Sequence, residues 1–426
     1  MDIKEIYKRF KECGTVSTDT RKIDKDVMFF ALKGANFNGN EFASQALAMG
    51  AKYVVIDEEK YKADDRYILV KDVLEALQNL AHFHRKQFNI PFIAITGSNG
   101  KTTTKELVNA VLSKKYKTYA TKGNLNNHIG IPLTLLAIQE DVEMAVIEMG
   151  ANHQKEIEGY CKYTEPTHGL ITNIGKAHLE GFGGIEGVKK GKGELYDYLL
   201  ANKGVAFINS THEVLTEISA FPDPVLYAAK NNFSYNELVE SNPFVKYKSE
   251  EGQIIETHLT GEYNFDNISA ALCVGKYFQV LSKDANAAVA AYDPQNNRSQ
   301  FVKKASNTVL LDAYNANPSS MKAAIENFAS LQVKGKILIL GDMFELGEES
   351  IGEHKAIGKL IASLKFDQVF LCGKNMKYAS EEIKNAYYFE SKKELELYLK
   401  NNKLEDSTIL LKGSRGMGLE DLMVLL

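Results

Sequence analysis

Short apolar runs recur along this chain, separated by stretches with helical patterning. In the first stretch, Val27-Met28-Phe29-Phe30-Ala31-Leu32 and Tyr53-Val54-Val55-Ile56 read as strands, and Val73 to Arg85 reads as a helix. Asn89-Ile90-Pro91 then marks a break, because the residue before a proline is pushed out of the helical region. Buried-strand runs follow at Phe92-Ile93-Ala94-Ile95, Met144-Ala145-Val146-Ile147 and Gly169-Leu170-Ile171-Thr172, the signature of a parallel sheet covered by helices. After Asp293-Pro294-Gln295-Asn296-Asn297 the pattern restarts. Val309-Leu310-Leu311-Asp312, Ile337-Leu338-Ile339-Leu340, Gln368-Val369-Phe370-Leu371 and Thr408-Ile409-Leu410-Leu411 alternate with helices, as in an open α/β domain. The expected fold class is α/β in three domains. A small α/β N-terminal domain spans 1–88, a parallel-sheet domain 89–296 and a Rossmann-like C-terminal domain 297–426.

Composition changes this picture mainly by exclusion. A chain of 426 residues is too long for one core, which agrees with several domains. Hydrophobic residues at 44% and charged residues at 25% are ordinary for a globular protein. The net charge is -4 with both signs mixed and no basic run, so no nucleic acid partner is expected. The four cysteines, Cys13, Cys161, Cys273 and Cys372, form no CxxC pair, which argues against a disulfide framework and a zinc site. The polar start and the lack of a bilayer-length apolar run predict a reduced, cytoplasmic protein that is not membrane-embedded. A monomer is the expected state.

The strongest candidate chemistry follows the run Phe92–Ile95. Thr96-Gly97-Ser98-Asn99-Gly100-Lys101-Thr102-Thr103 lies between a predicted strand and a predicted helix running through Lys114. Glycines let backbone N–H groups crowd around an anion, and the new helix points its positive end at the same place. Lys101 is placed to neutralise terminal phosphates and the Thr102 hydroxyl to reach a magnesium ion, so ATP is the expected ligand and the central domain is P-loop ATPase-like. The loop has only two residues between its glycines, fewer than the common form. A plain glycine turn capping a helix leaves the lysine and the hydroxyls unexplained.

This short loop resembles that of the Mur ligases and their folylpolyglutamate synthase relatives. Further motifs carry the likeness across almost the whole chain: Gly123-Asn124-Leu125-Asn126-Asn127-His128-Ile129-Gly130-Ile131-Pro132, Glu148-Met149-Gly150-Ala151-Asn152-His153 and Asn173-Ile174-Gly175-Lys176-Ala177-His178-Leu179-Glu180. Asp312-Ala313-Tyr314-Asn315-Ala316-Asn317-Pro318, Gly341-Asp342-Met343-Phe344-Glu345-Leu346-Gly347 and Lys412-Gly413-Ser414-Arg415-Gly416 are similar to one branch only. That branch joins D-alanyl-D-alanine to UDP-N-acetylmuramoyl-tripeptide.

Several roles follow from the resemblance. Glu148 ends a predicted strand at the carboxyl edge where open α/β sheets place ligands, and the family gives it a metal role. A lone histidine is more often an ordinary surface or core residue, but the family has His178 help bind a second magnesium. In the family a lysine four residues before an aromatic is carbamoylated by carbon dioxide. That places the carbamate on Lys192, with Lys190 the competing assignment. Asn267 matches the asparagine near adenine, and Arg298 and Asp312 match the groups that close over phosphate and ribose. Tyr263 stands where this branch usually has His, and Asn297 where Gly is common. Asn124, Asn126 and Asn127 belong to a substrate-binding signature. Asn315, Asn317, Ser414 and Arg415 are the candidates for holding the dipeptide, arginine suiting a carboxylate through its paired donors. Uridine diphosphate is expected on Ser17, Thr18, Arg21 and the turn at Asn38, where Asn38-Gly39-Asn40 replaces the usual Asp-Gly-His.

The implied reaction is ATP-driven amide formation through an acyl phosphate, with charge met by magnesium and Lys101 rather than by a covalent enzyme intermediate. No Ser-His-Asp or Cys-His arrangement is evident. Lys101 and Arg298 lie in different predicted domains, so catalysis is expected to need domain closure. The alternatives are a diamino-acid-adding sister ligase, whose Asp-Asn-Pro-Arg-type motif is missing, and a folylpolyglutamate synthase-like ligase, which generally lacks a first domain such as 1–88. A kinase would not explain the last domain. A non-enzymatic nucleotide switch predicts loss of Glu148, His178 and Lys192, and all three are present.

Overall fold

A computed structural model describes residues 2–295 and 297–426. The boundary expected at 296 falls on Asn296, which lies outside the described residues. Three main sheets follow one another along the chain. The first has four parallel strands in the order Val16–Ser17, Met28–Phe30, Tyr53–Ile56 and Tyr67–Leu69. The run expected at Val27–Leu32 forms a strand only over Met28–Phe30, because the chain then turns into a hairpin, Lys33–Gly34 against Phe37–Asn38. The helix Val73–Arg85 has the expected bounds and starts with Asp72 accepting a bond from Glu75 N–H at 2.7 Å. Its last residue ties it to the next domain. Arg85 donates to the Thr164, Phe88 and Glu165 carbonyls at 2.7, 3.0 and 2.8 Å and stacks 3.7 Å over the Phe92 ring.

The central sheet has six parallel strands, in the order Val225–Tyr227, Val205–Asn209, His168–Ile171, Phe92–Thr96, Met144–Glu148, Thr118–Ala120. Phe92–Thr96 and Met144–Glu148 are buried along their whole length, which is why they read as unbroken apolar runs. The helix Lys101–Leu112 stops two residues short of the expected Lys114 and packs on the helix Tyr263–Tyr277. Leu107, Val108 and Val111 meet Ile268, Ala271 and Val274 in a shared core. A three-stranded antiparallel sheet, Glu237–Glu240, Lys246–Lys248 and Ile254–Glu256, was not foreseen from the sequence.

The last sheet has the order Gln300–Lys304, Asn307–Asp312, Thr408–Lys412, Lys336–Gly341, Gln368–Cys372, Tyr387–Phe389. All pairings are parallel except that of the edge strand Gln300–Lys304. The four strands expected from the sequence are its four inner strands. The two outer ones are partly exposed and carry no clean apolar run. Among the described residues no helix is long and apolar enough to cross a membrane.

Candidate active site

The carboxyl ends of strands Phe92–Thr96 and Met144–Glu148 open into a cavity of about 470 Å3, closed on the far side by the last domain. Ser98, Asn99, Gly100, Lys101, Thr102 and Thr103 form one wall, and Arg298, Asp312, Asn315 and Asn317 form the opposite one. Asn126, Asn127, Glu148, His178 and Asn267 line the space between.

The glycines of the loop are required by shape. Gly97 has φ 140°, and a Cβ there would lie 2.0 Å from Thr172 Oγ1. Gly100 has φ 77°, and a Cβ would lie 2.5 Å from Asn267 Oδ1. Neighbouring strands hold the loop from behind. The Ser98 N–H donates to the Asn173 carbonyl at 3.0 Å, the Asn99 N–H to Asn173 Oδ1 at 3.0 Å, and the Thr172 hydroxyl to the Asn99 carbonyl at 2.6 Å. The Lys101 ammonium bends back to the Gly97 and Ser98 carbonyls at 2.8 and 3.0 Å. Burial pushes the Lys101 amine down to about 8; the Glu148 carboxylate opposes that shift and the Arg298 charge adds to it. Asn267 accepts from the Thr104 hydroxyl at 2.9 Å and donates to Asn264 at 2.9 Å, so the Tyr263–Tyr277 helix fixes the rear of the loop.

Glu148 is 1% exposed at the last position of its strand. Asn126 Nδ2 donates to Oε1 at 2.7 Å, whereas the buried Oε2 has no partner among the described residues. A buried carboxylate oxygen left unpaired is costly, and a cation in the cavity removes that cost. Thr102, 5% exposed, lies on the same cavity. Among the described residues no group of three His, Cys, Asp or Glu side chains could hold a metal ion. Magnesium commonly takes one or two protein carboxylates and completes its shell with substrate phosphates and water, a demand that Glu148 with its open oxygen can meet.

Lys192 is 1% exposed, while Lys190 is on the exposed face of the same helix, Ile185–Ala201. The Lys192 amine donates to the Ala151 carbonyl at 2.9 Å and lies 4.8 Å from the Phe182 ring centre. Burial, with Lys101 nearby, holds this amine well below the usual lysine range, and the Glu156 and Glu194 carboxylates oppose the shift. Lys192 stands behind the cavity wall at Ala151 rather than on its surface.

From the last domain, Arg298 stacks 3.7 Å over the Tyr314 ring, which Arg415 approaches at 5.0 Å. Asn297, in the place where glycine is common, has φ 57°, the left-handed region that asparagine enters more readily than most residues. Tyr263, in the place of the usual histidine, bonds Ser299 Oγ at 2.9 Å. Asp312 pairs with the buried Lys412 at 2.6 Å, and Lys412 also donates to the Asn315 carbonyl at 3.2 Å. Asn317 caps the helix Pro318–Ser330 through Ser320 N–H at 2.9 Å and donates to Asn99 Oδ1 at 2.8 Å, joining the two walls. His178 Nδ1 is bonded to Glu345, and Lys176 to Glu353. That bond keeps the Glu345 carboxyl below the usual range. The arrangement is therefore closed.

Not every expected residue is gathered here. The Ser414 hydroxyl is buried between Phe344 N–H at 2.9 Å and the Ala316 carbonyl at 3.3 Å, and Arg415 is exposed outside the cavity rim. Asn124 is exposed beside the cavity lining. Ser17, Thr18, Arg21 and Asn38 stay in the first domain. There Ser17 bonds the Asp19 and Lys22 carbonyls at 3.2 Å, and Arg21 pairs with Asp19 at 2.8 Å. Asn38 bonds Asn40 and Glu58, and the buried Asn40 reaches Asp57 at 2.8 Å, so the Asn-Gly-Asn turn is internally satisfied. Sequence reasoning assigned no role to Tyr314, Glu345 or Lys412, although each lies inside a motif it quoted.

The description Mur ligase family, catalytic domain, matches residues 13–85. Mur ligase middle domain matches 95–275, and Mur ligase, glutamate ligase domain, matches 297–415. The UDP-N-acetylmuramoyl-tripeptide–D-alanyl-D-alanine ligase of Bacillus subtilis is 35% identical over 96% of this chain and 92% of its own length. The Escherichia coli ligase of the same name is also 35% identical, with the same coverage. A crystal structure of MurF from Acinetobacter baumannii superposes with a TM-score of 0.89 at 30% identity, covering 99% of this chain and 97% of the other. Matched over nearly all its length by all three domain types, the chain belongs to the Mur ligase family.

Proposed function

We propose that this chain joins D-alanyl-D-alanine to UDP-N-acetylmuramoyl-tripeptide at the expense of ATP, releasing ADP and phosphate. The likeness to the ligases of Bacillus subtilis and Escherichia coli supports the substrates. The observation that carries the reading is the pairing of the glycine loop and Lys101 with Arg298 and Asp312 across one cavity. ATP transfers its terminal phosphoryl group to the tripeptide carboxylate, giving an acyl phosphate and ADP. The D-alanyl-D-alanine amine then attacks the carbonyl carbon, phosphate leaves, and the amine gives up a proton.

Lys101 and the N–H groups at the start of the Lys101–Leu112 helix bind the phosphates, and the closed last domain excludes water that would hydrolyse the acyl phosphate. Glu148 with its unpaired oxygen, Thr102 and His178 would hold magnesium, which when bound draws charge from the phosphoryl oxygens. Lys192 is proposed as the carbamoylated lysine, in preference to the exposed Lys190. Burial pushes its amine towards the neutral form, the one that reacts with carbon dioxide. Lys192→Ala is expected to lose activity and regain part of it with a short carboxylic acid; full activity without rescue would remove this role.

The test of the whole reading is phosphate release by the purified protein. Release is expected only with both the UDP-sugar tripeptide and D-alanyl-D-alanine, with product mass measured for lysine and diaminopimelate tripeptides. Equal release without the dipeptide would refute it.

A further inference from the structure

The loop after strand His168–Ile171 is gripped by the last domain at several points. The Lys176 N–H donates to Ser319 Oγ at 2.9 Å, the Lys176 ammonium pairs with Glu353, and the Glu180 N–H donates to the Glu345 carbonyl at 3.3 Å. Between these contacts the Glu345 carboxylate meets His178 Nδ1. Both residues stand in the left-handed region, His178 at φ 53° and Glu345 at φ 60°. Residues other than glycine enter that region at some cost, and functional sites are one place where that cost is carried. The Glu345 side chain is 52% exposed.

A histidine that uses Nδ1 on a carboxylate has its ring orientation fixed and its Nε2 left for a ligand. This is the usual arrangement behind a metal-binding imidazole. Here the carboxylate comes from a different domain than the histidine. We infer that Glu345 is the positioning residue for His178, orienting the imidazole towards the cation site only while the last domain is closed on the central one. The inference rests on the ligase reading, and it makes closure itself part of building the site.

The test uses the full chain with Mn2+ as a paramagnetic probe for the magnesium position, a non-hydrolysable ATP analogue, and steady-state kinetics alongside. Glu345→Ala is expected to raise the Mn2+ half-saturation and lower kcat by ~10–100-fold, with the KM for ATP changed less than about twofold. Glu345→Gln keeps an oxygen that accepts from Nδ1–H and should recover part of both losses. Glu353→Gln removes a neighbouring interdomain ion pair without touching His178 and should leave Mn2+ binding as in the parent chain. Unchanged Mn2+ binding and kcat in Glu345→Ala would overturn the inference. So would equal losses in Glu345→Ala and Glu353→Gln, because a contact between domains would then explain both. The Mn2+ readout needs no turnover. Glu345-dependent Mn2+ binding in a chain that ignores D-alanyl-D-alanine would sink only the ligase reading.

Discussion

ATP binding should take up a proton above neutral pH, because burial pushes the Lys101 amine down to about 8. Anionic phosphates beside Lys101 favour its charged form, so the bound complex regains an ordinary lysine value. If only the protonated lysine binds well, the apparent Kd scales as the inverse of the protonated fraction. Uptake is then about 0.1 proton at pH 7, about 0.5 at pH 8 and about 0.9 at pH 9, and Kd weakens ~10-fold from pH 7 to 9. A phosphate group's own ionisation near pH 6 is nearly complete at pH 8 and 9, so it adds little there. Calorimetry of ATP binding in two buffers of different ionisation enthalpy measures the uptake directly. Lys101→Met, similar in length but without charge, should bind weakly with no uptake. Pure protein without uptake at pH 8, or uptake that persists in Lys101→Met, would refute the assignment. Folding carries a linked sign. Lys101 has a lower pKa folded than unfolded, so between pH 8 and about 10.4 the unfolded chain holds more protons and stability rises with pH.

Two further substitutions probe the frame around the loop. Gly100→Ala forces a Cβ into the left-handed region and towards Asn267 Oδ1 at 2.5 Å, so it should cost about 1–2 kcal/mol from backbone strain alone and raise the KM for ATP; an unshifted Tm and KM would contradict the geometry. Asn317→Ala removes the cap of the helix Pro318–Ser330 and the bond to Asn99, and should lower stability by about 0.5–2 kcal/mol in denaturant unfolding. A larger loss of kcat/KM than of stability is expected there, because of the two Asn317 interactions it is the bond to Asn99 that joins the two walls.

Unbroken apolar runs, which buried parallel strands require, made the inner strands of the central and last sheets legible in the residues themselves. The glycine loop was legible too, because positive φ and close approach leave few residue choices at Gly97 and Gly100. Family motifs singled out Glu148 and Arg298, which line the cavity, and Lys192, which stands behind its wall. What sequence could not decide was contact between residues far apart in the chain. Lys190 and Lys192 are equal as letters two positions apart, and only helix phase against the core buries one and exposes the other. Ser414 was singled out as a dipeptide ligand, and only the tertiary structure shows its hydroxyl bonded to Phe344 N–H and the Ala316 carbonyl. Edge strands such as Gln300–Lys304, half wetted, leave no apolar signature. The meeting of His178 with Glu345, 167 residues apart, depends on how two separately patterned domains close. Local pattern encodes which face of each element is apolar; only tertiary packing determines which polar groups are left facing one another across the cleft.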